Sequence, residues 1–102
     1  MSGDVTFASA ALGHLYGTAG KTREARVIFD ELTARSVRGF VSSYDIALVC
    51  IGLGWNDQAF EYLSQAYKEK SGWMTYINVD PRLDALRTDS RFIDLLHGMR
   101  LN

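Results

Sequence analysis

The sequence is short of the residues that interrupt, cross-link or strongly charge a chain. Its single proline is Pro81, so the first 80 residues hold no obligatory helix breaker. Its single cysteine, Cys50, excludes an internal disulfide framework and a cysteine-rich zinc site, and it fits a reducing compartment. The two histidines, His14 and His97, lie far apart and lack the clustered ligands a metal site needs. Eleven Lys and Arg against twelve Asp and Glu leave a net charge of −1, without the basic surplus that phosphate backbones select. The longest apolar run, Ile46 to Ile51, falls far short of the roughly 20 residues that span a bilayer. The opening MSGDVTFASA has neither the basic start nor the apolar core of a signal peptide. These absences lead us to expect a cytoplasmic protein with no metal, no cofactor, no nucleic-acid partner and no membrane association.

What is present is a repeat. A length of 102 residues suggests one domain, and 47% hydrophobic residues are too many for a disordered chain. Gly20 and Gly54 stand 34 residues apart, as do Ala25 and Ala59. Laying residues 6–39 over 40–73 pairs Leu12 with Ile46, Tyr16 with Cys50, Ala19 with Leu53, Thr22 with Asn56 and Phe29 with Leu63. Most pairs match in physical class rather than identity, which is what a structural repeat demands.

Each unit reads as helix, tight turn, helix. In the first, Ala8, Ala11, Leu12, Leu15, Tyr16 and Ala19 recur at helical spacing as the apolar face. Gly20 stops that helix, Thr22 caps the next, and Ala25, Ile28, Phe29 and Leu32 pack it. In the second, Ser42 and Asp45 form a start resembling a capping box, Gly54 is the stop and Asn56 the next cap. Small residues (Gly13, Ala47, Ala25 and Ala59) let paired helices approach closely. Turns are expected at Gly20, Gly39, Gly54 and Gly72. Pro81 forces the third unit to be degenerate: a short helix near 73–79, a helical turn over 81–87, and a last helix capped by Asp89 or Ser90. Phe92, Ile93, Leu95, Leu96 and Met99 form its apolar face.

At Leu12-Gly13-x-x-Tyr16, Gly20, Ala25 and Phe29 the chain resembles the tetratricopeptide repeat. Ser9 and Val37 stand where that repeat carries an aromatic residue and a proline. The tail from Ser71 to Leu101 is similar to the C-terminal end of repeat modules appended to bacterial multidomain regulators, which carry adenylate-cyclase, kinase, winged-helix or TolB-like domains upstream. The resemblance implies an all-α fold, with antiparallel hairpins stacked as a short right-handed α-solenoid. It comprises a single domain over 1–102, with repeats at about 6–39 and 40–73 and a capping unit at about 74–102.

Candidate chemistry is sparse. Gly17 to Thr22 ends like a phosphate-binding loop, but Leu15 replaces the required first glycine and a helix precedes it instead of a strand. Asp80, Asp84, Asp89 and Asp94 lack calcium-loop spacing, and two of them sit at helix starts, where acids offset the helix dipole. Cys50 aligns with Tyr16, and Trp55 and Trp73 lie at unit boundaries, so packing is the expected role of all three. No enzyme is expected.

The resemblance implies instead a scaffold or adaptor that binds a protein or peptide segment in a concave groove. Phe7, Ala10, His14, Val41, Tyr44, Leu48 and Ile51 would line it. The alternative is a structural or oligomerisation module of a larger regulatory protein. Only five residues precede the expected first helix, and that helix is apolar around much of its circumference. A homodimer in which first helices bury one another through Phe7 and Leu15, or else a chain cut from a longer array, is therefore expected.

Overall fold

A computed structural model describes residues 2–37, 41–69, 77 and 80–99. They form five α-helices and one 3-10 helix, with no strand among the described residues. The α-helices are α1 (Ser2–Thr18), α2 (Thr22–Ser36), α3 (Ser43–Leu53), α4 (Asn56–Lys68) and α5 (Ser90–Met99), and the 3-10 helix is Pro81–Leu86. No helix among the described residues is long and apolar enough to cross a membrane. The expected turns at Gly39 and Gly72, and the expected helix near 73–79 apart from Ile77, lie outside the described residues.

Two turns of identical design join the hairpins. Gly20 and Gly54 take the left-handed conformation, with φ of 82° and 80°. The Lys21 N–H reaches back to the Tyr16 carbonyl at 2.8 Å, and the Trp55 N–H reaches the Cys50 carbonyl at 2.9 Å. Each glycine N–H bonds the carbonyl three residues earlier. Both turns are Schellman motifs, and glycine suits them because a side chain at that φ is strained. The turns are so short that Thr22 and Asn56 are already helical. The cap positions fall instead on Lys21 and Trp55, and neither makes a side-chain cap bond, which corrects the expected caps. Ser42 does cap α3, its hydroxyl accepting from the Tyr44 N–H at 3.2 Å. The starts of α2, α4 and α5 at Thr22, Asn56 and Ser90 keep the 34-residue spacing through the tail.

The core is centred on α3. Every residue from Ser43 to Ile51 is buried, as befits a helix apolar on all sides. It packs against α1, α2, α4 and the 3-10 helix. Each buried Leu, Ile or Val there contributes about 1.5–3 kcal/mol through removal from water. The helices α2 and α4 are amphipathic, burying Ala25, Ile28 and Leu32, and Ala59, Phe60, Leu63 and Ala66. Phe29 of α2 meets the Trp55 ring edge-on at 5.1 Å and that of Tyr62 at 6.2 Å, locking the two hairpins together.

The first helix starts at Ser2 rather than near residue 6, and it buries a different face from the one expected. Ala10 and Gly13 are buried, whereas Ala8, Leu12, Leu15 and Ala19 are exposed. The reason is a backbone-level contact between α1 and α3. A Cβ on Gly17 would lie 2.4 Å from the Gly52 carbonyl carbon, and one on Gly52 would lie 2.6 Å from the His14 carbonyl oxygen. Glycine rather than leucine therefore marks the buried stripe of α1. In α5, Phe92 and Leu96 are buried as expected, but Ile93 is exposed.

Gly17→Ala is therefore expected to destabilise by about 2 kcal/mol or more, because the overpacking exceeds alanine's helix-propensity gain of about 1 kcal/mol. Gly98→Ala, whose Cβ would meet nothing within 4 Å, should instead be neutral or stabilise by up to about 1 kcal/mol. Urea midpoints of the two variants give the comparison.

Candidate functional site

The polar side chains gather where α1, α3 and the 3-10 helix meet. Pro81 pushes the preceding Asp80 into extended backbone and itself opens the 3-10 helix. Asp80 thereby becomes the cap, and its Oδ1 accepts from the Arg82 N–H at 2.9 Å. The Arg82 side chain folds back onto the same carboxylate, donating from Nε to Oδ1 at 3.0 Å and from Nη2 to Oδ2 at 2.8 Å. The Tyr44 hydroxyl, from α3, donates to Asp80 Oδ2 at 2.7 Å. Arg87 closes the loop by donating to the Asp80 carbonyl at 2.8 Å. Beside these groups, His14 of α1 makes a hydrogen bond to the Arg82 backbone.

The electrostatics follow from burial and these partners. Burial holds His14 below the usual imidazole range, and Arg82 pushes the same way. Burial alone would raise Asp80, but hydrogen bonds from Arg82 and Tyr44 outweigh it and keep the carboxyl below its usual range. Burial pushes the Tyr44 hydroxyl well above the usual phenol range, reinforced by its bond to Asp80. Asp45 is the misfit. It is buried, and among the described residues its Oδ1 has no hydrogen-bond partner. Burial raises its pKa, and Arg82 only partly offsets that.

The 80–82 motif occurs twice. Nine residues on, Asp89 Oδ1 accepts from the Arg91 N–H at 2.9 Å, and the Arg91 side chain returns to it from Nε at 3.2 Å and Nη2 at 2.9 Å. Here the outward partner is α4: Arg91 Nη1 donates to Asp57 at 2.7 Å, and the guanidinium stacks 4.5 Å from the Phe60 centroid. Two Asp-x-Arg staples thus fasten the tail, one to α3 and one to α4. The depression beside the second holds about 340 Å³ and is lined by Phe60, Ser64, Arg91, Asp94 and Leu95. Its guanidinium is already engaged by two carboxylates.

Of the residues expected to line a concave groove, Ala10, Tyr44, Leu48 and Ile51 are buried. His14 and Val41 are half-buried, and the Phe7 side chain lies outside the described residues. The tail contributes to that burial, beside α1, α2 and α4. Leu83, Leu86 and Ile77 are fully buried in the same cluster as Tyr44 and Leu48, and the 3-10 helix rests on α3. Leu15, expected at a self-association surface, is exposed at 61%. The remaining candidates are structural in setting. The Cys50 thiol is fully buried and pushed up to about 12. Lys21 lies over the Tyr16 ring at 6.0 Å in the Gly20 turn. His97 is exposed, and Trp73 lies outside the described residues. Sequence reasoning treated the acids of the tail as isolated caps. The signal it missed was the pairing of each capping Asp with an Arg two residues later.

Asp45→Asn is expected to stabilise the protein at pH 7, because burial lifts the folded-state pKa of Asp45 and so penalises its charged form. The sign follows from a folded-state pKa raised above the ordinary 3.8: the charged form costs stability above the folded pKa, and the cost disappears below 3.8, where both states are protonated. The gain should therefore vanish as pH falls through that window. Urea denaturation at a series of pH values measures it.

Comparison with known protein families, with curated proteins and with solved structures finds no match.

Proposed function

We propose that the chain is a protein–protein interaction module, a scaffold or adaptor of tetratricopeptide type with no catalytic activity or cofactor of its own, working in the cytoplasm. Helix starts spaced by 34 residues, paired Schellman turns and a tail stacked on the second hairpin support a short right-handed α-solenoid.

One observation carries the reading. Leu12 and Leu15 are 44% and 61% exposed, whereas Ile46 and Val49, their partners one repeat later, are 1% and 0% exposed. Val49 is buried against α1, reaching within 3.0 Å of where a Gly13 Cβ would lie. The same positions in the first hairpin thus present a stacking surface without its counterpart. A partner offering small residues and backbone at the contact, as Gly13 and Gly17 offer to α3, fits that surface. Apolar patches of this kind mark interfaces. The second reading, a structural or oligomerisation module of a larger regulatory protein, draws on the same exposed Leu15, with a second copy as the partner. Binding of a peptide on the α1–α3 face requires the tail to leave it first.

A photo-crosslinking residue at position 15 tests the proposal, with one at exposed Asp94 as control. Adducts are expected from position 15 in cells expressing the protein and not from position 94. Their mass identifies either another protein, as an adaptor demands, or a second copy, as an oligomerisation module demands. Position 15 yielding no more adduct than position 94 would contradict both readings.

A further inference from the structure

Three features of the α1–α3 face set it apart from an ordinary core contact. It is covered by a segment that follows it at a distance in sequence, from Asp80 to Leu86, whose regular structure is one six-residue 3-10 helix. The cover is held by a compact set of groups: the Asp80 carboxylate on the Tyr44 hydroxyl, the Arg82 backbone on His14, and Leu83 and Leu86 buried in the same cluster as Leu48. The face beneath is imperfectly satisfied, because buried Asp45 keeps a carboxylate oxygen without a hydrogen-bond partner among the described residues. A surface selected only for stability would replace a buried, unpartnered carboxylate with an apolar or amide side chain.

We propose that the 80–86 segment is an intramolecular occupant of a peptide-binding face. The receptor is formed by His14, Tyr44, Asp45 and Leu48. It takes a segment from another chain with the same chemistry: a carboxylate, a guanidinium two residues later, and leucines one and four residues after that. This rests on the interaction-module reading, and it names what regulates access to the face. In cis the occupant competes at an effective concentration of about millimolar, so an external peptide meets only the small fraction of molecules whose tail is open. The carboxylate of the incoming segment takes the Tyr44 hydroxyl, and its leucines replace Leu83 and Leu86.

The test uses the full chain and a fluorescein-labelled peptide with the sequence of residues 77–88. In the double variant Asp80→Ala, Leu83→Ala the tail loses its polar and apolar anchors while the receptor groups stay intact. Fluorescence anisotropy is expected to show the variant binding the peptide at least about tenfold more tightly than the parent. Adding Tyr44→Phe should weaken that binding at least about tenfold, the loss of one hydrogen bond to a carboxylate. Binding that is equal in parent and variant, or that is untouched by Tyr44→Phe, places the peptide elsewhere and overturns the proposal. If the double variant loses its helical circular-dichroism signal, the parent is titrated with the peptide at millimolar concentration by NMR. Shifts at Tyr44 and Leu48, with movement of the 80–87 amides toward free-chain positions, are expected, and an unchanged spectrum overturns the proposal. Failure here leaves the crosslinks from position 15 unaffected, so it sinks the cis-occupied face and not the module reading.

Discussion

The fold turns on how closely α1 can approach α3. Gly17 and Gly52 bring the two backbones to a distance that no Cβ tolerates, and Gly13 lets Val49 and Ile28 meet over the same stretch. That approach encloses one side of α3. The remaining sides are closed by α2 and α4 through Ala25, Ala59 and the Phe29–Trp55–Tyr62 aromatic group, and by the tail through Leu83 and Leu86. Once α3 is enclosed, its run of apolar residues becomes an asset instead of a liability. A helix of this composition left on a surface would be an aggregation hazard.

The tail completes the enclosure by polar means as well as apolar ones. Proline at 81 prevents a regular third helix in that position, so the chain uses a short 3-10 turn that supplies few apolar side chains. The Asp-x-Arg staples make up the difference. The first binds a buried tyrosine hydroxyl and is shielded from solvent, where charge-assisted hydrogen bonds are strong. The second is exposed, and its ion pairs with Asp57 and Asp89 add little to stability on their own. Its contribution is the stacking of Arg91 on Phe60, which orients α5 on α4. The two staples look alike in sequence, and burial gives them unequal weight.

Much of the fold was legible in the residues. The glycines at 20 and 54 announced the turns because their spacing and their left-handed conformation are local properties, and Ser42 announced the start of α3 for the same reason. The all-helical content followed from periodicity and the scarcity of proline. The buried face of α1 was not legible. Hydrophobicity pointed to Leu12 and Leu15, whereas the contact runs through glycines that carry no hydrophobic signal. The burial of Tyr44, Leu48 and Ile51, expected to line a groove, was not legible for a related reason. A repeat pattern says which side of a helix a residue occupies, and it says nothing of a distant segment returning to cover that side. The unpartnered Asp45 oxygen, likewise, depends on a three-dimensional environment assembled from three elements.

The proposed module presents exposed Leu12 and Leu15 on α1, and the proposed second surface is filled by its own tail. Both conclusions depend on α3 being the enclosed centre of the chain, and residue-resolved hydrogen exchange under native conditions tests that most directly. The account predicts that the amides of α3 from Ala47 to Leu53 exchange only through global unfolding, with free energies matching the value from urea denaturation, while those of α5 and the 3-10 helix exchange through smaller openings. Amides of α3 that exchange more readily than those of α2 and α4 would contradict it.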